Sequence, residues 1–224
     1  MKNTKNTKNT KPNLNKGEQI LKELFSPESV FTINYESPSD FMIKSLDEYD
    51  KFWQKDKAKD LLQGKDEDSQ KRNLHGGIFE LLIETLLIRE GIKPLYKQAS
   101  VAFVPDVKYD FVLYTDTHNV INLSCKTTLR ERYKQAALES YILKNVHRKA
   151  ECYLICRDNK YFDSVNKKIA EGMILGLDQV VHIEKEEFNK LFEKLKQNTY
   201  IESEKVEVIT GTISDEDTFK SKIK

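Results

Sequence analysis

Apolar residues recur along the chain with two different spacings, which predict helices and strands. Between residues 76 and 91 they recur every three or four positions, as in a helix with one buried face, and Gly91 can end that helix. Residues 99–114 and 119–126 alternate or run apolar over strand lengths. A turn-like sequence joins these two stretches, so they predict the strands of a hairpin.

The remainder of the chain continues this alternation. The pattern predicts a long helix within 127–150, a buried strand at 150–158 and a helix at about 163–172. A further strand and a further helix follow before a polar tail that starts at Gln197. Helices that alternate with strands, some of them paired as a hairpin, indicate an α/β or α+β domain with a mixed β-sheet flanked by helices.

Composition divides the chain into four segments. Residues 1–16 form a Lys- and Asn-rich repeat without acidic residues, which we expect to be a disordered basic arm. Residues 17–70 combine short apolar clusters with charged stretches and predict small helices packed on or beside the core. The core is expected at 71–200, and a polar extension at 201–224.

The composition excludes several classes of protein. With 38% hydrophobic and 33% charged residues, the 224-residue chain can bury a core and is not expected to be disordered as a whole. No apolar run reaches the ~18 residues of a membrane span, and the polar start lacks the apolar segment of a secretory signal. Three cysteines without paired spacing indicate neither a disulfide framework nor a zinc site. We therefore expect a cytoplasmic protein.

The arginines are few and clustered. The formal net charge is +1, which alone does not indicate a polyanionic partner. Only six of the 37 basic residues are Arg, however, and three of the six lie between residues 130 and 148. Because Arg forms two-pronged hydrogen bonds that Lys cannot form, the cluster indicates a recognition role.

One end of the predicted hairpin gathers charged residues. Asp110 begins the paired part of the first strand and Lys126 ends the second, so antiparallel pairing brings them to one edge. Ser124 points to the same side as Lys126 because strand side chains alternate. The helices before and after the hairpin add Glu84 and Glu139. Such an oxygen-rich site suits Mg²⁺, and a divalent ion beside a cation suits phosphodiester hydrolysis.

Together these residues resemble the PD-(D/E)XK nuclease superfamily, and within it the type II restriction endonucleases of the EcoRII, PspGI and NgoMIV kind. Those enzymes carry a small residue where the first acid of the D/E-x-K triplet would stand, and the following helix supplies the missing carboxylate. Over about residues 105–150, Ser124 matches the small residue, Lys126 the lysine and Glu139 the displaced glutamate. The resemblance implies that Asp110 and Glu139 bind the metal, with Lys126 near the attacking water.

The same resemblance implies how DNA is bound. Arg130, Glu131 and Arg132 match the family's recognition triplet, which reads adjacent G·C pairs in the major groove. The chemistry agrees, because Arg can bind guanine with two hydrogen bonds and Glu can accept one from cytosine. Lys134 and Arg148 are expected to contact backbone phosphates.

The function implied by the resemblance is cleavage of double-stranded DNA at a short palindrome that contains CC/GG steps, with Mg²⁺ as cofactor and Mn²⁺ as a substitute. Cutting both strands of a palindrome indicates a homodimer. A cognate DNA methyltransferase would be the functional partner, in the cytoplasm of a prokaryotic cell and without a membrane partner. Two alternatives remain open: a repair, recombination or mobile-element nuclease of the same superfamily, and a non-catalytic DNA-binding regulator.

Two choices between acidic residues stay open. Asp106 stands in a literal Pro-Asp pair and rivals Asp110 as the strand aspartate. Glu80 and Glu84 are four residues apart on the predicted helix, and either matches the glutamate that many of these nucleases place beside the metal. We favour Glu84, because its apolar neighbours make a buried charge costly unless a cation lies near it.

Two further residues have alternative roles. Glu131 could form a capping box with Thr128 at the start of the long helix instead of contacting a base. Trp53, the only tryptophan, could either pack in the core or insert into the duplex as an aromatic wedge.

Overall fold

The computed structural model describes residues 33–54, 67–104, 107–203 and 209–223. Within these ranges the chain forms six helices and six strands. The helices are α1 (Pro38–Trp53), α2 (Glu67–Arg89), α3 (Arg132–Val146), α4 (Asn159–Ala170), α5 (Glu186–Leu195) and α6 (Glu216–Ile223). The strands are β1 (Leu95–Val101), β2 (Tyr109–Tyr114), β3 (Val120–Lys126), β4 (Glu151–Cys156), β5 (Gln179–His182) and β6 (Ile209–Ser214).

The strands form one mixed sheet in the order β5-β4-β3-β2-β1-β6. Strands β3, β4 and β5 run parallel to one another, whereas β2 is antiparallel to β3, β1 to β2, and β6 to β1. Parallel neighbours need crossover connections, and α3 and α4 supply them between β3, β4 and β5. The predicted mixed sheet flanked by helices is confirmed.

Helices cover both faces of the sheet. On one face, α1, α2 and α5 pack against sheet residues such as Phe111, Leu123 and Ile155. On the other face, α3 and α4 pack against residues such as Val112 and Leu154. The central strands are therefore buried on both sides, which explains their nearly continuous apolar sequences.

The predicted hairpin is present, but its first strand is shorter than predicted. Strands β2 and β3 pair antiparallel, with Phe111 opposite Leu123. The prediction of one strand over 99–114 is wrong, because this stretch is divided between β1 and β2. The chain turns directly after Val101, whose carbonyl accepts a hydrogen bond from the Val104 nitrogen at 3.1 Å. Since these turn residues are themselves apolar, the pattern did not reveal the turn.

A C-terminal strand completes the sheet. Strand β6 pairs with β1 and forms the edge opposite β5, and α6 follows it. Both elements lie within the predicted polar extension. Because β6 contains Thr, Gly and Ser, its sequence lacks the clear apolar alternation that is typical of a strand. Gly211 suits β6 at its close approach to β1, because a Cβ there would lie only 3.1 Å from the Lys97 carbonyl oxygen.

Only part of the N-terminal region lies within the described residues. The predicted basic arm, residues 1–16, lies outside the described residues. In the predicted helical region 17–70, α1 buries Phe41 and Met42 in the same cluster as α2, so it packs on the core. Among the helices that the structure describes, none combines the length and apolarity needed to cross a bilayer.

Candidate active site

Asp110 and Lys126 form the centre of the site, at the end of the β2–β3 hairpin away from its turn. The pairing of Phe111 with Leu123 brings Asp110 level with the last residues of β3. Oδ2 of Asp110 accepts hydrogen bonds from Lys126 Nζ and from the main-chain nitrogen of Cys125, both at 2.8 Å. Only 11% of the Asp110 side chain and 12% of the Lys126 side chain are exposed. The structure thus brings these two predicted site residues together.

Lys126 is held in its charged form. Burial lowers the pKa of its ammonium group, but the charge of Asp110 and the hydrogen bond to it outweigh burial, so the pKa lies above its ordinary value. Ser124, the predicted small residue, is buried in the same strand end and adds no charge. The site therefore contains one fixed positive charge in surroundings where its field is stronger than in water.

Glu80 of α2 is a second carboxylate of this site. Its Oε2 accepts a hydrogen bond of 3.3 Å from Gln98 Nε2, which also lies 3.4 Å from Oδ1 of Asp110. Burial raises the pKa of the Glu80 carboxyl, and the charge of Asp110 raises it further. Lys126 and Lys97 lower it, and the resulting pKa is about 7. A carboxyl group that titrates near neutral pH beside another carboxylate is typical of a functional site.

Glu84, the helix carboxylate that the sequence favours, has other partners. It is completely buried, its Oε2 lies 2.7 Å from Lys97 Nζ, and its Oε1 accepts a hydrogen bond from the Ser214 hydroxyl of β6. The cation that a buried Glu84 requires is therefore Lys97, and no metal ion is needed there. The structure does not bring Glu84 to Asp110, and it brings Glu80, one helical turn earlier, in its place.

Glu139 approaches the same charges from α3. Burial raises the pKa of its carboxyl, the hydrogen bond from Gln135 and the charge of Lys126 lower it, and Asp110 raises it, with a net increase. Gln135 Nε2 donates to Glu139 Oε1 at 2.8 Å. The Tyr109 hydroxyl donates to the Glu139 main-chain carbonyl at 3.0 Å and thereby ties α3 to the strand that carries Asp110. The predicted displaced glutamate therefore lies within electrostatic range of Asp110 and Lys126.

The carboxylates Asp110, Glu80 and Glu139, which we call the carboxylate site, fit a divalent ion that keeps several waters. Among the described residues, no three His, Cys, Asp or Glu side chains lie close enough to hold a metal by themselves. Mg²⁺, however, needs only one or two protein carboxylates beside water and phosphate oxygens. Oδ1 of Asp110 is free of Lys126, and a cation bound by both carboxylates would offset the part of the Glu80 pKa increase that Asp110 adds to the effect of burial.

The triplet Arg130, Glu131 and Arg132 is exposed at the start of α3. The residue before it, Leu129, is completely buried, and its nitrogen donates to Asp158 Oδ2 at 2.7 Å. This anchor fixes the loop between β3 and α3, so the three side chains project into solvent from a defined position.

Glu131 does not form the capping box that the sequence offered as an alternative, so that prediction is wrong. Helix α3 begins at Arg132, so Glu131 itself occupies the N-cap position, and its side chain makes no capping hydrogen bond. Thr128 lies outside the helix and cannot cap it. The Glu131 carboxylate instead accepts a hydrogen bond from Lys134 Nζ at 2.7 Å, which lowers the pKa of Glu131. Glu131 thus remains an exposed anion between two arginines.

The two predicted phosphate contacts lie at opposite ends of α3. Lys134 is exposed in the first turn, beside the triplet, whereas Arg148 is exposed beyond the last turn. The 15 residues of α3 span about 22 Å between them. Lys134 therefore lies beside the triplet, and the structure does not bring Arg148 to that end of the helix.

Arginines also meet in a cavity between α1, α2 and the loop before α3. The cavity has a volume of about 230 Å³, and its lining includes Arg72, Arg132 and Arg157. Three of the six arginines of the chain thus line one cavity, and Arg157 among them is paired with Asp50 at 2.7 Å. Trp53 is partly buried nearby, packs against the core and stacks on His75 with ring centroids 5.4 Å apart. Of the two alternatives for Trp53, the structure thus shows the one in which the side chain packs against the core.

Two polar residues of the site were not singled out on the sequence. Lys97 and Gln98 lie side by side in β1, where Lys97 pairs with Phe111 next to Asp110. Two consecutive long polar side chains within a half-buried strand are the signal that could have found them. Asp106, the rival of Asp110, lies outside the described residues.

No protein-family model matches the chain. No curated protein sequence matches it either. Among solved structures, it is similar to one described as "Restriction endonuclease PspGI-substrate DNA complex", with 16% sequence identity over 92% of this chain and 85% of that chain and a TM-score of 0.52. It is also similar to "Metal-depleted Ecl18kI in complex with uncleaved DNA", with 18% identity over 81% of this chain and 62% of that chain and a TM-score of 0.41. With its mixed sheet and flanking helices, the chain has the fold of the type II restriction endonucleases.

Proposed function

We propose that this chain is a sequence-specific double-stranded DNA endonuclease of the type II restriction kind. The observation that carries the proposal is the buried Asp110–Lys126 pair, with the carboxylates of Glu80 and Glu139 within its electrostatic range. The fold supports it, because the similar PspGI structure is a complex with substrate DNA.

Lys126 would act on the scissile phosphate with its positive charge. Because Asp110 keeps its pKa above the ordinary value, the ammonium group stays protonated and is suited to stabilise negative charge as it develops on the phosphate. Asp110 fixes the direction of the Lys126 side chain through Oδ2. The hydrogen bond from the Cys125 nitrogen to the same oxygen keeps Asp110 itself in place.

The carboxylate site would hold Mg²⁺, or Mn²⁺ through the same oxygens. Asp110 and Glu139 are the residues that the family resemblance assigns to the metal, and we add Glu80 in place of Glu84. A bound divalent ion would supply polarisation of the phosphate and a lower pKa of the attacking water. The three residues would orient it from strand β2 and from helices α2 and α3, which pack on opposite faces of the sheet.

The triplet Arg130, Glu131 and Arg132 would read the bases of a CC/GG step. Both arginines can bind guanine O6 and N7, and Glu131 can accept from cytosine N4. The ion pair with Lys134 leaves Glu131 exposed, with 72% of its side chain accessible, so base contact requires no unfolding of the helix end. Exposed charges on an anchored loop suit direct readout in the major groove.

We expect Arg132→Ala to weaken binding to the cognate site by about 1–3 kcal/mol and to weaken binding to random DNA much less. The physical reason is the loss of a two-pronged contact to guanine. Titration of labelled cognate and random duplexes measures both affinities, and Lys134→Ala, which removes the predicted phosphate contact beside the triplet, serves as the comparison, because a phosphate contact affects both duplexes alike. Equal weakening on both duplexes by Arg132→Ala would make Arg132 a phosphate contact.

A homodimer would cut both strands of a palindrome with two symmetric active sites. An apolar groove between α3 and the loop that follows α4 supports it, with Leu138 60%, Tyr141 44%, Met173 69% and Leu175 61% exposed. Gly176 lets this loop approach α3, since a Cβ there would lie 2.4 Å from the Tyr141 nitrogen.

We expect Leu138→Lys to convert the dimer into a monomer, because it places a charge in the apolar centre of the contact. Light scattering on eluting protein measures the mass. Ile43→Lys, which alters an exposed apolar residue of α1, is the matched control and should stay dimeric. A dimer that persists in Leu138→Lys would contradict this surface.

Digestion of plasmid DNA with Mg²⁺ tests the proposed function directly. We expect discrete fragments whose sequenced ends reveal a palindrome with a CC/GG step, and protection of the same sites by a cognate methyltransferase. Cutting confined to branched or single-stranded DNA would instead indicate a structure-specific nuclease. Tight DNA binding without cleavage in Mg²⁺ or Mn²⁺ would indicate a regulator.

A further inference from the structure

Gln98 occupies an irregular position in β1, next to the carboxylate site. Two residues of β1, Gln98 and Ala99, lie opposite the single residue Gly211 of β6, which defines a β-bulge. Gly at position 211 allows this close approach, because a Cβ there would lie 3.1 Å from both the Ala99 Cβ and the Lys97 carbonyl oxygen, and the neighbouring atoms would have to shift by a few tenths of an ångström. The sheet edge is therefore built around this bulge.

The backbone of Gln98 is strained. Its φ is +49°, in the left-handed region that Gly adopts without steric cost and a long side chain does not. Such a bulge commonly carries Gly at its first position, and here that position carries Gln. A strained non-Gly residue that the surrounding structure holds in place is a recurring feature of functional sites.

The strained bulge directs the Gln98 side chain into the carboxylate site. Its Nε2 lies 3.3 Å from Glu80 Oε2 and 3.4 Å from Asp110 Oδ1. Both contacts are long for N–H···O hydrogen bonds, and the amide stands between the two acids instead of binding one of them closely. An amide can donate to two carboxylates at once, because it carries two N–H groups.

We propose that Gln98 is a positioning residue of the active site, whose amide, aimed by the β-bulge, holds the carboxylates of Glu80 and Asp110 at one fixed spacing. This inference rests on the proposed nuclease function. Two acids that share a site repel each other, and a neutral donor between them keeps them close without neutralising either. Lys97 cannot take this role, because its ammonium group is engaged with Glu84.

The alternative is that the bulge only shapes the edge of the sheet. In that case the side chain at position 98 would be irrelevant to the chemistry. Removing it would relieve strain and change nothing else. The two roles therefore differ in what Gln98→Gly does to DNA cleavage, and they agree that it does not destabilise the fold.

The experiment compares Gln98→Gly with a matched control, His118→Gly. His118 also has a positive φ, +58°, but it lies in the turn at the other end of the hairpin. We expect both variants to melt at or above the wild-type temperature. Only Gln98→Gly should cut DNA more slowly, by about tenfold to a hundredfold, as expected when reacting groups are misplaced by about 1 Å. A second measurement titrates Mg²⁺ in the absence of DNA and follows the melting temperature. Gln98→Gly should need a several-fold higher Mg²⁺ concentration than the wild type to reach half of its maximal rise in melting temperature.

Gln98→Asn supplies a second variant, because Asn tolerates the left-handed region but its amide is one methylene shorter. It should show the same losses as Gln98→Gly. Wild-type cleavage and wild-type Mg²⁺ dependence in either folded variant would overturn the positioning role and leave the proposed function standing. A wild-type protein that cuts no DNA in Mg²⁺ or Mn²⁺ would overturn the proposed function itself, and the inference with it.

Discussion

Replacing Lys126 with alanine is expected to slow DNA cleavage by about a hundredfold to a thousandfold, while binding to the cognate site stays within a few-fold of wild type. The ammonium group is the fixed positive charge of the site and lies 2.8 Å from Asp110 Oδ2. It makes no contact with the exposed triplet that would read the bases. Single-turnover cleavage and binding in Ca²⁺ measure the two effects separately.

The control for this experiment is Lys44→Ala, which removes a lysine of α1 that pairs with Asp40 on the surface. It should leave both cleavage and binding unchanged. Glu139→Ala should reproduce the cleavage defect of Lys126→Ala, because the resemblance assigns Glu139 to the metal. Melting curves identify variants that fail to fold, since removal of Lys126 leaves Asp110 without its cation. Full cleavage by either folded variant would refute the active-site assignment.

Local patterns were sufficient for the parts of the fold that depend on neighbouring residues. The period of the apolar positions identified the part of α2 from residue 76 onward, which ends two residues before Gly91, and the alternation identified the hairpin. The first turns of α2, from Glu67, were missed because they lie in a polar stretch. The pairing of Asp110 with Lys126 followed as well, because an antiparallel hairpin brings its two open ends together. The mixed sheet was predicted for the same reason, as its elements follow one another along the chain, whereas the likeness to restriction endonucleases was implied only by the resemblance.

Contacts between distant segments could not be predicted. Glu80 and Glu84 lie on one face of α2, and only their contacts with other segments distinguish them. Glu84 binds Lys97 of β1 and Ser214, and Ser214 lies 130 residues after Glu84 in the chain. Strand β6 has too few apolar residues to be recognised, so neither this partner nor the bulge at Gln98 was visible. The capping box was predicted wrongly because α3 begins only at Arg132, which leaves Thr128 outside the helix.

Glu80→Gln is expected to stabilise the protein and to abolish most of its cleavage. The pKa of Glu80 is about 7, above its ordinary value of 4.5, so between these values the folded state binds more protons than the unfolded state. The free energy of unfolding therefore falls as pH rises from 4.5 to 7, and the full penalty remains above pH 7. Removing the charge should raise the free energy of unfolding by on the order of 2 to 3 kcal/mol at pH 8, and by less than about 1 kcal/mol at pH 5.

Urea denaturation of wild type and Glu80→Gln at the two pH values measures this difference. Mg²⁺ should raise the melting temperature of the wild type at pH 8 more than that of the variant, because the variant lacks a carboxylate of the proposed metal site. A wild-type protein whose stability does not fall between pH 5 and pH 8 relative to Glu80→Gln would contradict the raised pKa.

Glu84→Gln, the same substitution one helical turn later, is the matched control. We expect it to lower the stability of the protein, whereas Glu80→Gln raises it. Glu84→Gln breaks a buried ion pair and leaves Lys97 without its partner, so it should destabilise the protein by about 3–5 kcal/mol. Cleavage by the folded fraction should persist, since Glu84 faces Lys97 and Ser214 instead of Asp110. If Glu80→Gln cut DNA normally while a fully folded Glu84→Gln did not, the metal-side glutamate would be Glu84, and Glu80 would be a buried acid without a role in the chemistry.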